Sequence, residues 1–110
     1  MNIVHTLPPF MGEGSIGPHV SPLHAFLCGA RYGHDLQFDK EFGEMTAAAL
    51  KMWQEDNRLE NDSCFGPESR KWAKSEYGFD FEAICKTIQG ETTFCDPLHQ
   101  EESVIYKNAE

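Results

Sequence analysis

Apolar residues recur at intervals of three and four over most of the stretch between Pro18 and Gly90, the spacing of amphipathic helices. Val20, Leu23, Phe26, Leu27 and Ala30 make the first face. Pro18 and Pro22 fall near its first turn, where a missing N–H costs nothing, and Gly29 and Gly33 bracket its end. The segment "EMTAAALKMWQEDN" is the strongest helix, with high alanine propensity and a stripe of Met45, Ala49, Leu50 and Trp53. Asn57 and Arg58 end it, and Leu59 turns back toward the core. A third helix opens with Gly66 at the cap and Pro67 at the first helical position, carries Trp72, Ala73 and Tyr77, and stops at Gly78. Asp80 then caps "FEAICKTIQ", where Phe81, Ile84, Cys85 and Ile88 keep helical spacing up to Gly90.

The two ends lack this regularity. Residues 1–17 hold glycines and prolines with no sustained period, which predicts an irregular lead-in. Residues 91–110 are polar and weakly periodic, a tail with Phe94, Leu98, Val104, Ile105 and Tyr106 available for docking. A chain of 110 residues supports one compact domain. The pattern therefore predicts an all-α fold: a small three-helix bundle over 18–77, with a fourth helix and tail over 78–110 packed on it.

One local frame is written twice. "DKEFGEMT" and "DSCFGPES" share Asp, two free positions, Phe-Gly, two free positions and a hydroxyl residue, each followed by helix. Asp39 and Asp62 are placed to accept amide hydrogens just ahead of them in Asx-type turns. Phe42 and Phe65 anchor the turns in the core. Gly43 and Gly66 supply a backbone shape that a Cβ would obstruct, and Thr46 and Ser69 fall at the third helical position, able to bond back toward the loop. Two such turns would bring three helices together at equivalent corners.

The stretch from Val20 to Trp72 resembles the peptidoglycan-binding module appended to cell-wall hydrolases. That family's pattern runs V-x-x-L-Q, L-G-Y, D-G-x-F-G-x-x-T, A-V-x-x-F-Q, G-L and D-G-x-x-G-x-x-T. The matching positions here begin with Val20, Leu23, His24 and Tyr32. Asp39, Phe42, Gly43 and Thr46 follow, then Ala49, Leu50, Trp53 and Gln54, and last Arg58, Leu59, Asp62, Gly66 and Ser69. His24 stands where the pattern has Gln, Arg58 where it has the glycine before Leu59, and Lys40 and Ser63 where it has the glycine of each D-G pair. The resemblance implies a non-catalytic module that binds peptidoglycan or a related cell-wall glycopeptide and targets an associated wall-acting protein, such as a hydrolase. It also implies a place in the cell envelope or outside the cell.

A formal charge of −9 disfavours nucleic acid and anionic membrane surfaces as partners. No apolar run is long enough to span a bilayer. The N-terminal stretch lacks a basic region and does not match a signal peptide, so delivery to a wall would fall to lysis, a phage particle or a secretion machine. Neutral or polar recognition of a glycopeptide calls for aromatic faces and hydrogen-bonding side chains. Tyr32, Gln37, Phe38, Asp39, Gln54, Asn57 and Arg58 are the candidates, around a shallow groove beside the Asp39 turn and the end of the second helix. Trp53 and Trp72 occupy the helical stripes and are assigned to the core.

Other chemistry is weaker. His24 and Cys28 lie four apart, as do Cys95 and His99, residue types suited to zinc, but nothing in the sequence joins the pairs and no cofactor is expected. Cys28 and Cys85 fall in apolar patterns as buried thiols, and Cys64 and Cys95 in loops as the better disulfide candidates. No nucleophile or zinc-peptidase motif is present, so an enzyme is not expected. The alternative to wall binding keeps the fold and changes its use: a protein-interaction adaptor working through the helix around Ile84 and the acidic tail.

Overall fold

The computed structural model describes residues 11–33 and 39–93, together with the strand backbone at Ile3–Val4, Phe94–Cys95 and Ser103–Asn108. Four helices carry most of its regular structure: α1 (Ser21–Gly29), α2 (Glu44–Asp56), α3 (Pro67–Tyr77) and α4 (Phe81–Cys85). Three strands join them, β1 (Ile3–Val4), β2 (Gly90–Cys95) and β3 (Ser103–Asn108), in the order β1-β3-β2. β1 runs parallel to β3, and β2 pairs antiparallel with β3 from Gly90↔Asn108 to Cys95↔Ser103.

The helical expectation holds over 21–85, but the ends depart from it. The tail expected to be irregular contributes both long strands. The fourth helix stops at Cys85, and turns at Lys86 and Thr87 lead into β2. Asp80 caps it as expected, its carboxylate accepting the Ala83 N–H at 3.1 Å. Gly78 ends α3 in the left-handed region (φ 72°), also as expected.

The core is built from α1, α2 and the corners. Val20, Leu23, Leu27, Phe42, Leu50, Trp53, Phe65, Ala73 and Cys85 are fully buried. Aromatic rings continue it: Phe26 stacks on Phe79 at 4.4 Å and meets the edge of Trp53 at 5.5 Å, while Phe65 meets Phe81 at 5.3 Å. Such pairs add to the area term through ring electrostatics.

The buried face of α2 is rotated from the expected stripe. Met45 is exposed, and Thr46 and Gln54 are buried beside Ala49, Leu50 and Trp53. Both polar side chains are buried with hydrogen-bond partners on other segments, which helical spacing does not announce. Two cysteines correct the sequence reading: Cys28 is exposed on α1, and Cys64, expected as a disulfide candidate, is a thiol buried within the second corner.

The lead-in is a strap over both corners. Met11 exchanges backbone hydrogen bonds with Phe65, at 3.2 and 2.8 Å. Phe42 accepts from the Gly14 N–H and donates to the Ser15 carbonyl, both at 2.9 Å. Ile16 then exchanges two bonds with Thr93 of β2, so one short segment ties both corners to the sheet. At Gly17 (φ 148°) the strand passes so close that an added Cβ would lie 2.4 Å from the Thr92 Cα.

Candidate functional site

The two corners match at the aspartate and at the glycine and differ between them, where Ser63 is left-handed (φ 61°) and its counterpart Lys40 is not. Asp39 Oδ1 accepts the Glu41 N–H and Asp62 Oδ1 the Cys64 N–H, each at 3.0 Å, closing the same turn two residues ahead. Gly43 lies at φ −103°, ψ −164° and Gly66 at φ −108°, ψ −164°, and each starts its helix as the N-cap. Phe42 and Phe65 are both fully buried.

Glycine is not sterically required at Gly43, contrary to the sequence reading. Its backbone is extended, a region open to other residues, and nothing lies within 4 Å of where a Cβ would stand. Glycine is simply an acceptable N-cap there.

The N3 hydroxyls bond across to the preceding helix rather than back along the loop. Thr46 Oγ1 meets His24 Nε2 at 2.9 Å, and His24 Nδ1 lies 3.7 Å from Asp39 Oδ1. Ser69 Oγ accepts from Gln54 Nε2 at 3.0 Å, and the same amide reaches Asp62 Oδ1 at 3.1 Å and the Cys64 carbonyl at 3.0 Å. Gln54 Oε1 accepts the Ser63 N–H at 3.0 Å. His24 therefore holds the hydroxyl of the first corner from the helix before, as Gln54 does in the second; its Nδ1 stands near Asp39 but beyond hydrogen-bond distance, whereas Gln54 bonds Asp62 directly. This role was missed in the sequence, although the two clamps stand at the two glutamine positions of the quoted pattern.

These contacts remove Gln54 and Asp39 from the candidate ligand contacts. Gln54 is buried and occupied by its corner, and Asp39, although exposed, belongs to the other corner and not to the groove described next. Gln37 and Phe38 lie outside the described residues, as do the side chains of Cys95 and His99. Among the described residues no group of histidines, cysteines and carboxylates is arranged to hold a metal ion.

A groove runs between the end of α2 and one face of α3, with a volume of about 710 Å³. Asp56, Asn57, Arg58 and Leu59 line one wall, and Glu68, Lys71, Trp72 and Ser75 the other. The second set recurs at three and four along α3, one helical face. Of the expected contacts, Asn57 and Arg58 are here, and Tyr32 reaches the rim by donating to Asp56 Oδ2 at 2.6 Å. That bond to a carboxylate, with some burial, pushes the Tyr32 phenol up to about 12.

Trp72, expected in the core, is half-buried: it packs against the core cluster and also lines this groove. Its Nε1 donates to Asn57 Oδ1 at 2.8 Å, and Tyr77 Oη donates to the same oxygen at 3.2 Å. The Asn57 Nδ2 in turn donates to the Trp53 carbonyl at 2.8 Å. Asn57 thus positions the indole and has little capacity left for a ligand of its own.

Arg58 stands in the left-handed region (φ 60°) directly after the α2 cap. The amides of Arg58 and Leu59 return to the carbonyls of Glu55 (3.1 Å) and Gln54 (2.8 Å), the paired closure of a Schellman motif. Arg31 (φ 72°) closes α1 in the same way, with Arg31 bonded to Cys28 and Tyr32 to Leu27. Ser63 (φ 61°), in the second corner, is left-handed as well.

Away from the groove, burial pushes the Cys85 thiol up to about 12, against the opposing pull of Arg70. No helix among the described residues is long and apolar enough to cross a membrane. No protein-family model matches the chain, and no curated protein is significantly similar to it.

Proposed function

We propose that this chain is a non-catalytic module that binds peptidoglycan or a related cell-wall glycopeptide through the α2–α3 groove, and brings an associated wall-acting protein to its substrate. The observation that carries the reading is the backbone at the positions where this sequence departs from the peptidoglycan-binding pattern. Arg58 and Ser63 stand where that pattern has glycine, and both adopt left-handed conformations that glycine takes at no steric cost. Arg31 stands at the glycine of the L-G-Y element and does the same. Lys40, at the glycine of the first D-G pair, is not left-handed, so the agreement holds at three of the four glycine positions lost; that most of these shapes persist without the glycines supports the same fold. The paired corners and the hydroxyl bonds from His24 and Gln54 support the same three-helix arrangement.

The groove suits a glycopeptide chemically. Trp72 and Leu59 give it apolar surface, and Arg58, Lys71, Glu68 and Ser75 give it polar and charged groups. Co-sedimentation with purified sacculi at low and high salt is the direct test. Retention, weakened by Trp72→Ala in a variant that keeps its fold by circular dichroism, is the expected result. Failure of the intact chain to sediment with sacculi from walls of different chemistry would overturn the reading and leave the adaptor role as the explanation of the fold.

A further inference from the structure

We infer that the groove takes the peptide part of the wall polymer, a short peptide bearing free carboxylates, and not its glycan strand. Arg58 and Lys71 would hold a carboxylate and Glu68 an ammonium group. This rests on the wall-binding reading above.

The lining is the first reason. The groove brings together two cations and two carboxylates; a second mixed-charge groove, by Arg70, Lys74, Asp80 and Glu82, differs in that its Lys74 is already paired with Asp80 at 3.6 Å. Asp56 is engaged by the Tyr32 phenol. Arg58, Lys71 and Glu68 make no side-chain hydrogen bond or ion pair among the described residues, and all three are exposed. Unengaged charges of both signs in one groove match a ligand that is itself charged in both senses. Neutral sugar hydroxyls would give those groups weaker, uncharged hydrogen bonds, whereas a carboxylate gives charge-assisted ones.

The backbone at Arg58 is the second reason. Arg58 is held left-handed at a cost to the fold, and of the three non-glycine residues so held among the described residues it is the one that lines the groove. Arg31 is the internal control: the same residue type, in the same closure of the preceding helix, and not among the residues lining the groove.

The experiment uses the full chain with three probes: intact sacculi, glycan strands freed of peptide, and the peptides released from the same sacculi. Released peptides are expected to compete the protein off sacculi, and peptide-free glycan to bind at least tenfold more weakly. Arg58→Gly should raise the melting temperature while weakening retention about tenfold, and Lys71→Gln should weaken it without raising the melting temperature. Arg31→Gly should raise the melting temperature and leave retention unchanged. Peptide-free glycan held as tightly as intact sacculi, or undiminished binding by Arg58→Gly, would overturn the inference while leaving wall binding standing. Loss of binding to intact sacculi by the unmodified chain would instead remove the wall reading itself, and this inference with it.

Discussion

Replacing Gln54 by leucine keeps most of the side-chain volume and deletes the polar clamp of the second corner. The amide nitrogen has two hydrogens and three acceptors in range, the Asp62 carboxylate, the Cys64 carbonyl and the Ser69 hydroxyl. The amide oxygen holds the Ser63 N–H. The substitution thus removes three hydrogens' worth of bonding at a site that is 1% exposed. Asp62 is exposed and recovers its bond from water, and the Cys64 carbonyl keeps the Gly66 N–H at 3.1 Å, but the Ser69 hydroxyl and the Ser63 N–H lose their Gln54 partner in the buried corner. At roughly 1 kcal/mol per lost bond, and somewhat more for each group left unsatisfied, the expected loss is about 3 kcal/mol. With an unfolding entropy of about 0.23 kcal/mol/K for a domain of this size, the melting temperature should fall by roughly 13 °C. Thermal and guanidinium unfolding followed by circular dichroism read both quantities. A loss below about 1 kcal/mol would refute the argument, because the corner would then be held by its buried Phe65 alone.

His24→Gln should convert the first clamp into a copy of the second, and stability by the same assay should stay within about 1 kcal/mol of the parent, as for other volume-conserving exchanges. Gly17→Ala sets a Cβ against Thr92 and Glu91 at a backbone conformation side chains rarely adopt, and should cost about 3 kcal/mol, measured by guanidinium unfolding. The Tyr32 phenol is raised in the folded state, so its contribution to stability is complete below pH 10 and is lost as pH rises through about 12. Tyr32→Phe should flatten the fall in melting temperature over that window, and an absorbance titration at the phenolate band should lose one late-titrating group. Iodoacetamide should label the exposed Cys28 in the native protein and reach Cys85 only on unfolding, since burial holds that thiol protonated; peptide mapping reads the order.

Much of the helical part was legible because its signals are local. Pro67 and Gly78 bound α3, Asp80 caps α4, and each acts on backbone groups a few residues away. The strands were not legible, although "GETTFC" and "SVIYKN" contain β-branched and aromatic residues suited to pairing. Their registry is a contact between distant segments, and a short polar strand has no periodicity to announce it. The strap from Met11 to Ile16 is harder still, because its bonds to both corners are backbone to backbone. The groove was half legible: Asn57 and Arg58 follow from the helix end, while Trp72 was read inward because spacing alone cannot separate a core indole from one at a rim.

The separation of fold from groove explains why the frame is written twice and what that leaves free. Each clamp takes a side chain from one helix and bonds the N3 hydroxyl that starts the next, so α1 is tied to α2 and α2 to α3. The α3–α4 joint uses a different device, the Asp80 cap, and needs no third copy. Almost all polar groups that define the bundle are consumed in these joints, and Asn57 is consumed in fixing Trp72. The side chains left for a ligand are Arg58, Lys71, Glu68 and the indole, and of these only Arg58 carries a conformational penalty. Stability and binding should therefore vary independently at Lys71 and Glu68, and run in opposite directions at Arg58. A residue whose removal strengthens the fold and weakens the grip is hard to explain as scaffold, which makes that position the sharpest single probe of what the groove is for.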